Sequence, residues 1–112
     1  MMEQLRPAEL ADWLIAHGPR QPLVLDVREP WELRVASVSA DGFELAAIPM
    51  GELPARLDEL DPSRPVACLC HHGMRSLHVA AFLVQRGFAC VANISGGIDA
   101  WSQERDPGVP RY

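Results

Sequence analysis

The chain has 112 residues, 48% of them apolar, and a formal net charge of −5. That is the size of one domain and the composition of a globular protein, which excludes a disordered chain. The acidic balance argues against nucleic acid or an anionic membrane surface as partner, since both recruit basic patches. No apolar run approaches the roughly 18 residues of a membrane helix. Met1 to Glu9 holds acid, proline and one arginine rather than an apolar leader. Three cysteines cannot all pair inside one molecule, so reduced thiols in a cytoplasmic protein are expected.

Leu5 to Leu10 opens a helix, with Pro7 at its first position. Leu10, Trp13 and Leu14 recur at helical spacing, and Gly18-Pro19 ends the run. Leu23 to Val27 is a short, almost wholly apolar stretch, the pattern of a central strand covered on both faces. It runs into Asp26, Arg28 and Glu29, charges at the strand end where open α/β sheets place their sites. Asp26 and Arg28 read as a structural ion pair supporting such a site. Pro30 to Val35 reads as a short helix with Trp31 packing inward.

Ser39-Ala40-Asp41-Gly42 is a turn signal, and Phe43 to Ala46 alternates weakly as a strand. Pro49 to Leu60 carries Leu53, Leu57 and Leu60 at helical spacing, with Pro54 in its first turns. Pro65 to Cys70 is a second buried strand. Ser76 to Gly87 is a helix closed by Gly87. Phe88 to Asn93 is a third strand, Ile98 to Gln103 a last helix, and Asp106 to Tyr112 a Pro/Gly tail. Strands and helices alternate, which favours parallel pairing through right-handed crossovers. The expected fold is α/β: a small three-layer sandwich, 1–112, with a mostly parallel central sheet flanked by helices.

The stretch from Cys70 to Arg75 joins a buried strand to a helix. A cysteine facing a helix N-terminus is where a thiolate is cheapest to make. Cys70 therefore reads as a sulfur nucleophile. The arginine, Arg75, stands five positions after it. In the cysteine phosphatase signature the arginine comes one position later, and here that position is Ser76. The tighter loop suits one extra sulfur better than a tetrahedral oxyanion.

Cys70-His71-His72-Gly73-Met74-Arg75-Ser76 resembles the active-site loop of the rhodanese family of sulfurtransferases. Leu25 to Glu32 is similar to that family's first signature, and Asn93 to Trp101 to its closing one. The resemblance spans nearly the whole chain and implies a single rhodanese-like domain. It implies that Cys70 takes the outer sulfur of a small anionic donor such as thiosulfate and carries it as a persulfide. Cyanide, a thiol or a protein would then accept it. The amides of His71, His72, Gly73, Met74, Arg75 and Ser76 would hold the sulfur's charge. Gly73 would let the backbone curl, and Ser76 would cap the helix. Three roles stay open for Arg75: favouring the thiolate, orienting the donor, or bracing the loop through Asp26 or Glu29. No cofactor is implied.

The chain departs from the family pattern between Ala36 and Ile48, where an extra turn is expected to alter the rim of the site. His71 and His72 read as solvated loop positions that tune specificity. Cys68 shares Cys70's face of the strand and reads as core, since a Cys-x-Cys bridge in an extended strand is geometrically poor. Cys90 reads as core too. A metal site on Cys68, Cys70, His71 and His72 would need His78 and Cys90 as a second cluster, so none is expected. Two functional alternatives remain beside the enzyme. One is a non-enzymatic sulfur relay acting with a protein that supplies and removes the sulfur. The other is a phosphatase or arsenate reductase, which would need a wider loop.

Overall fold

A computed structural model describes residues 2–112; Met1, the first residue of the expected 1–112 domain, lies outside them. The elements are β1 (Met2–Leu5), α1 (Leu10–His17), β2 (Leu23–Asp26), α2 (Pro30–Val35), β3 (Glu44–Ala47), β4 (Val66–Leu69), α3 (Met74–Gln85), β5 (Val91–Ile94) and α4 (Gly97–Glu104). The strands form one sheet in the order β1-β5-β4-β2-β3, with every neighbouring pair parallel. The α/β class is as expected, and the sheet is wholly parallel.

All residues of β2, β4 and β5 are buried, which is why these strands read as continuous apolar runs. Their side chains alternate between two cores. Val24, Ala67, Leu69, Ala92 and Ile94 pack with Leu10, Trp13 and Leu14 of α1 and with Ile98 and Trp101 of α4. Leu23, Leu25, Val66, Cys68 and Val91 pack instead with Val79, Ala80 and Leu83 of α3. Helices thus cover both faces. Gly87 ends α3 as its sequence position suggests. Its N–H donates to Val84 O and the Phe88 N–H to Leu83 O, both at 3.1 Å, which is the Schellman arrangement. Phe88 is therefore a buried contact at the helix end rather than the first residue of a strand, and β5 starts at Val91.

Other expectations are corrected. Met2–Leu5 is a strand, with Leu5 in register with Ile94, although Met-Glu-Gln-Leu shows no apolar alternation. Backbone pairing to β5 holds it at the sheet edge. Pro49 to Leu60 is not one helix but two 3-10 turns, Met50–Glu52 and Pro54–Glu59, with Arg56 off helical geometry at φ −112°, ψ 15°. Pro54 removes the N–H that a continuous helix would need. Trp31 is 55% exposed, and the α2 residue that turns inward is Glu32, 3% exposed. The tail from Asp106 packs back on the body: Val109 is buried, and its carbonyl accepts from Ser102 Oγ at 2.7 Å. Among the described residues no helix is long and apolar enough to cross a membrane.

The carboxyl end of β2 is closed by an ion pair. Arg28 is fully buried and Asp26 nearly so. Arg28 Nε and Nη2 donate to the two Asp26 oxygens at 2.9 and 2.8 Å, and the Arg28 N–H donates to Oδ1 at 3.1 Å. Truncating one partner of such a pair strands a buried charge. Arg28→Ala is expected to lower the unfolding free energy by about 3–5 kcal/mol in urea denaturation.

Candidate active site

Parallel strands bring their carboxyl ends to one edge, and Cys70 stands there, just past β4. α3 begins four residues later at Met74. Cys70 is 1% exposed. Its Sγ accepts the Gly73 N–H at 3.1 Å and lies 3.2 Å from Ser76 Oγ. Met74, Arg75 and Ser76 open α3, so their N–H groups have no carbonyl one turn back within the helix. Ser76 is not the helix cap: Gly73, with φ +103°, holds that place. Ser76 Oγ instead reaches Asn93 Oδ1 at 2.5 Å, and Asn93 Nδ2 donates to Gly73 O at 3.2 Å. Asn93 thus grips both ends of the turn into α3. Sequence reasoning assigned it no role, although a lone amide in the apolar strand Val91–Ile94 is itself a signal.

The loop is clamped from the other side by α4. Ile98 N–H donates to Cys70 O at 2.8 Å, and Asp99 N–H donates to His71 O at 3.2 Å. This approach leaves no room for a side chain at Gly97, where a Cβ would strike both of those carbonyls. At Gly73 a Cβ would meet Gly96 N at 3.0 Å. Gly97 thus lets the end of α4 touch the cysteine loop, while at Gly96, with φ +78°, a Cβ would strike Ala100 one turn into the helix.

Arg75 braces the loop, but through Glu32 rather than through Asp26 or Glu29. The fork is bidentate, Nη1 to Oε1 at 2.5 Å and Nη2 to Oε2 at 2.8 Å. Tyr112 Oη donates to Glu32 Oε2 at 2.7 Å and accepts from Arg28 Nη1 at 3.0 Å. One chain of contacts so runs Asp26, Arg28, Tyr112, Glu32, Arg75. Glu32 is held down at about 2 from an ordinary 4.5, first by Arg75 and against its own burial, with Tyr112 helping. Arg75 is raised, again first by Glu32, and the neighbouring Cys70 adds to the effect. The Tyr112 ring stacks on His71 at 3.8 Å and 8°, and His71 stacks on His72 at 3.9 Å. His71 Nε2 lies 2.7 Å from the Tyr112 main-chain oxygen. His71 is thus a packed rim residue, while His72 and Met74 are exposed. Glu32 and Tyr112 escaped sequence reasoning because neither belongs to a local pattern around the cysteine.

Several candidates lie elsewhere. Cys68 is fully buried in the α3-side core, and burial pushes its thiol up. Cys90 packs against the α1-side core, as expected, but is only half-buried and lies beside His17. The extra turn at Ser39 to Gly42 does not rim the site. Leu23 pairs with Glu44, so Gly42 lies at the amino end of the sheet, sharing a surface hollow with Gln21, Pro22 and Arg64. What crosses the carboxyl end of β2 is Ile48 to Met50, through Ile48 N–H to Asp26 O and Met50 N–H to Val27 O, both at 3.0 Å.

Two expectations follow from this geometry. A carboxylate depressed from 4.5 to about 2 stabilises the fold above its unfolded value and loses that contribution as pH falls through the folded one. Glu32→Gln should cost on the order of 3 kcal/mol at neutral pH and flatten the loss of stability between about pH 5 and pH 2, read by denaturant titration at each pH. Gly97→Ala should cost about 1–3 kcal/mol and speed hydrogen exchange at the Ile98 and Asp99 amides.

Comparison with known proteins agrees with the architecture. The rhodanese-like domain family model matches residues 6–104. A "Sulfurtransferase" of Allochromatium vinosum is 36% identical over 87 residues, covering 78% of each chain. The chloroplastic "Rhodanese-like/PpiC domain-containing protein 12" of Arabidopsis thaliana is 39% identical over 93 residues, 80% of this chain but only 30% of that protein. A solved rhodanese-related protein of Thermoplasma volcanium superposes with a TM-score of 0.75 at 33% identity, covering 98% of this chain and 99% of its own. With the parallel sheet, the cysteine loop and the Gly96-Gly97 clamp in place, the chain belongs to the rhodanese-like domain family.

Proposed function

We propose that this chain is a rhodanese-type sulfurtransferase that carries the transferred sulfur on Cys70. The observation that supports the reading is the surround of Cys70 Sγ: it accepts the Gly73 N–H at 3.1 Å in front of the first turn of α3. N–H groups and the helix dipole there favour a negative sulfur before and after loading. In the first step the Cys70 thiolate attacks the outer sulfur of a donor such as thiosulfate. A bond forms from Sγ to that sulfur, the donor's S–S bond breaks, and sulfite leaves with the electron pair. In the second step cyanide or a thiolate attacks the terminal sulfur, the Sγ–S bond breaks, and the Cys70 thiolate returns. The atoms balance without an added oxidant or cofactor.

The remaining residues have supporting parts in this scheme. The amides of His71 through Ser76 and the Ser76 hydroxyl surround the carried sulfur. Glu32 takes one N–H from each terminal nitrogen of Arg75, so the guanidinium's charge is already paired, which favours bracing over tight capture of an anionic donor. Asp26 and Arg28 anchor Tyr112 and, through it, Glu32. His71, His72 and Met74 form the rim that a donor meets. A protein persulfide is the alternative donor or acceptor, and the exposed Met74 and Trp31 favour that reading by offering apolar surface beside the loop.

Incubation with thiosulfate should add the mass of one sulfur atom to the intact protein, and Cys70→Ser should abolish the gain. No gain from thiosulfate or from a protein persulfide would overturn the proposal. Ser76→Ala should slow thiosulfate-to-cyanide turnover by roughly 10- to 100-fold, since it removes one hydroxyl near the charged sulfur. Fast transfer from a protein persulfide combined with very slow thiosulfate turnover would identify the relay mode over the small-molecule enzyme.

A further inference from the structure

The opposite end of the sheet brings together three side chains of metal-ligating type. Glu3 stands on β1, His17 closes α1, and Cys90 immediately precedes β5. Their ligand atoms all lie within 4.8 Å of one another. Cys90 Sγ is 3.8 Å from His17 Nε2 and 3.9 Å from Nδ1, so both ring nitrogens lie near the sulfur. A tetrahedral zinc ion, with Zn–S near 2.3 Å and Zn–N near 2.0–2.1 Å, holds sulfur and nitrogen about 3.5 Å apart. Closing the sulfur–nitrogen gap takes a few tenths of an ångström, and the exposed Glu3 side chain supplies the remaining adjustment within the 4.8 Å spread of the three ligand atoms.

The surroundings favour an ion as well. One Glu3 oxygen, Oε1, accepts the Trp13 Nε1–H at 3.1 Å, which leaves the second oxygen for a ligand bond. The Trp13 ring lies 4.8 Å from the His17 ring and limits its swing. Outer contacts of this kind orient metal ligands. A thiolate, a neutral imidazole and a carboxylate together balance a divalent charge, and that donor set suits a borderline ion better than magnesium or calcium. The four residues of β5 separate the cluster from the Cys70 end by about 13 Å, so the two sites share no ligand.

We infer that Glu3, His17 and Cys90 form a three-ligand site for a borderline divalent cation of the zinc type, with an open fourth position. The ion would pin the edge strand β1 and the covering helix α1 to β5. A thiol must lose its proton to serve as a ligand, so binding releases a proton and weakens as pH falls. Separation in sequence hides this set: residues 3, 17 and 90 show none of the short spacings by which metal sites are read.

Cobalt(II) titration of Cys70→Ser tests the inference without interference from the loop thiol and independently of any sulfur transfer. One equivalent should bind and produce a thiolate-to-cobalt absorption band, and zinc should displace it. Cys90→Ser in the same background should abolish the band, and His17→Ala should weaken binding by about 100-fold. Zinc should raise the Tm of the parent protein but not of Cys90→Ser. Absence of the band in Cys70→Ser, or a band of equal strength after Cys90→Ser, would overturn the site.

Discussion

Two hydrogen bonds, from Ile98 and Asp99 to the carbonyls of Cys70 and His71, tie the cysteine loop to α4. A loop of this kind has a choice of which way each peptide faces. Engaging its first two carbonyls on a neighbouring helix removes that choice and leaves its N–H groups free for the sulfur. The requirement propagates outward. Gly97 must lack a side chain, α4 must begin where β5 ends, and β5 must lie beside β4 in the sheet. The parallel order and its crossovers are thereby linked to a contact spanning a few ångströms.

A second constraint is electrical. Four charged side chains, Asp26, Arg28, Glu32 and Arg75, meet at the carboxyl edge of the sheet, and two of them carry each sign. Their pairing is complete: Asp26 holds Arg28, Glu32 holds Arg75, and the Tyr112 hydroxyl joins the two pairs. Buried charges left single would cost several kcal/mol each. Balanced, they hold the rim rigidly without adding net charge next to the proposed nucleophile. The protein's acidic total is set elsewhere on its surface.

What could be read from the chain beforehand was whatever is local. Apolar runs mark β2 and β4, Pro30 starts α2, Gly87 ends α3, and the spacing from Cys70 to Arg75 sizes the loop. Elements held by distant contacts were not readable. β1 has no pattern of its own and exists by pairing with β5. Three leucines at helical spacing suggested a helix over Pro49 to Leu60, but Pro54 and the kink at Arg56 break it into 3-10 turns. Trp31 looked like the inward residue of α2 because it is large and apolar. The inward residue is its neighbour Glu32, because Arg75 and Tyr112 supply partners from over 40 positions away. Asn93 was inside a recognisable signature, yet only the fold reveals that it grips Gly73 and Ser76.

The Ser76 hydroxyl has one proton and two neighbours that can take it, Asn93 Oδ1 at 2.5 Å and Cys70 Sγ at 3.2 Å. Beside a neutral thiol the S–H can point to Ser76 Oγ, and the serine proton stays with the amide. An anionic sulfur has no hydrogen to offer, so a hydroxyl that turns toward it gives up its bond to Asn93. The amide oxygen then loses its donor, while Asn93 Nδ2 keeps its bonds to Gly73 O and Gln4 Oε1. A continuous line of hydrogen bonds thus runs from the sulfur through one hydroxyl to β5 and on to Gln4 of the outer strand.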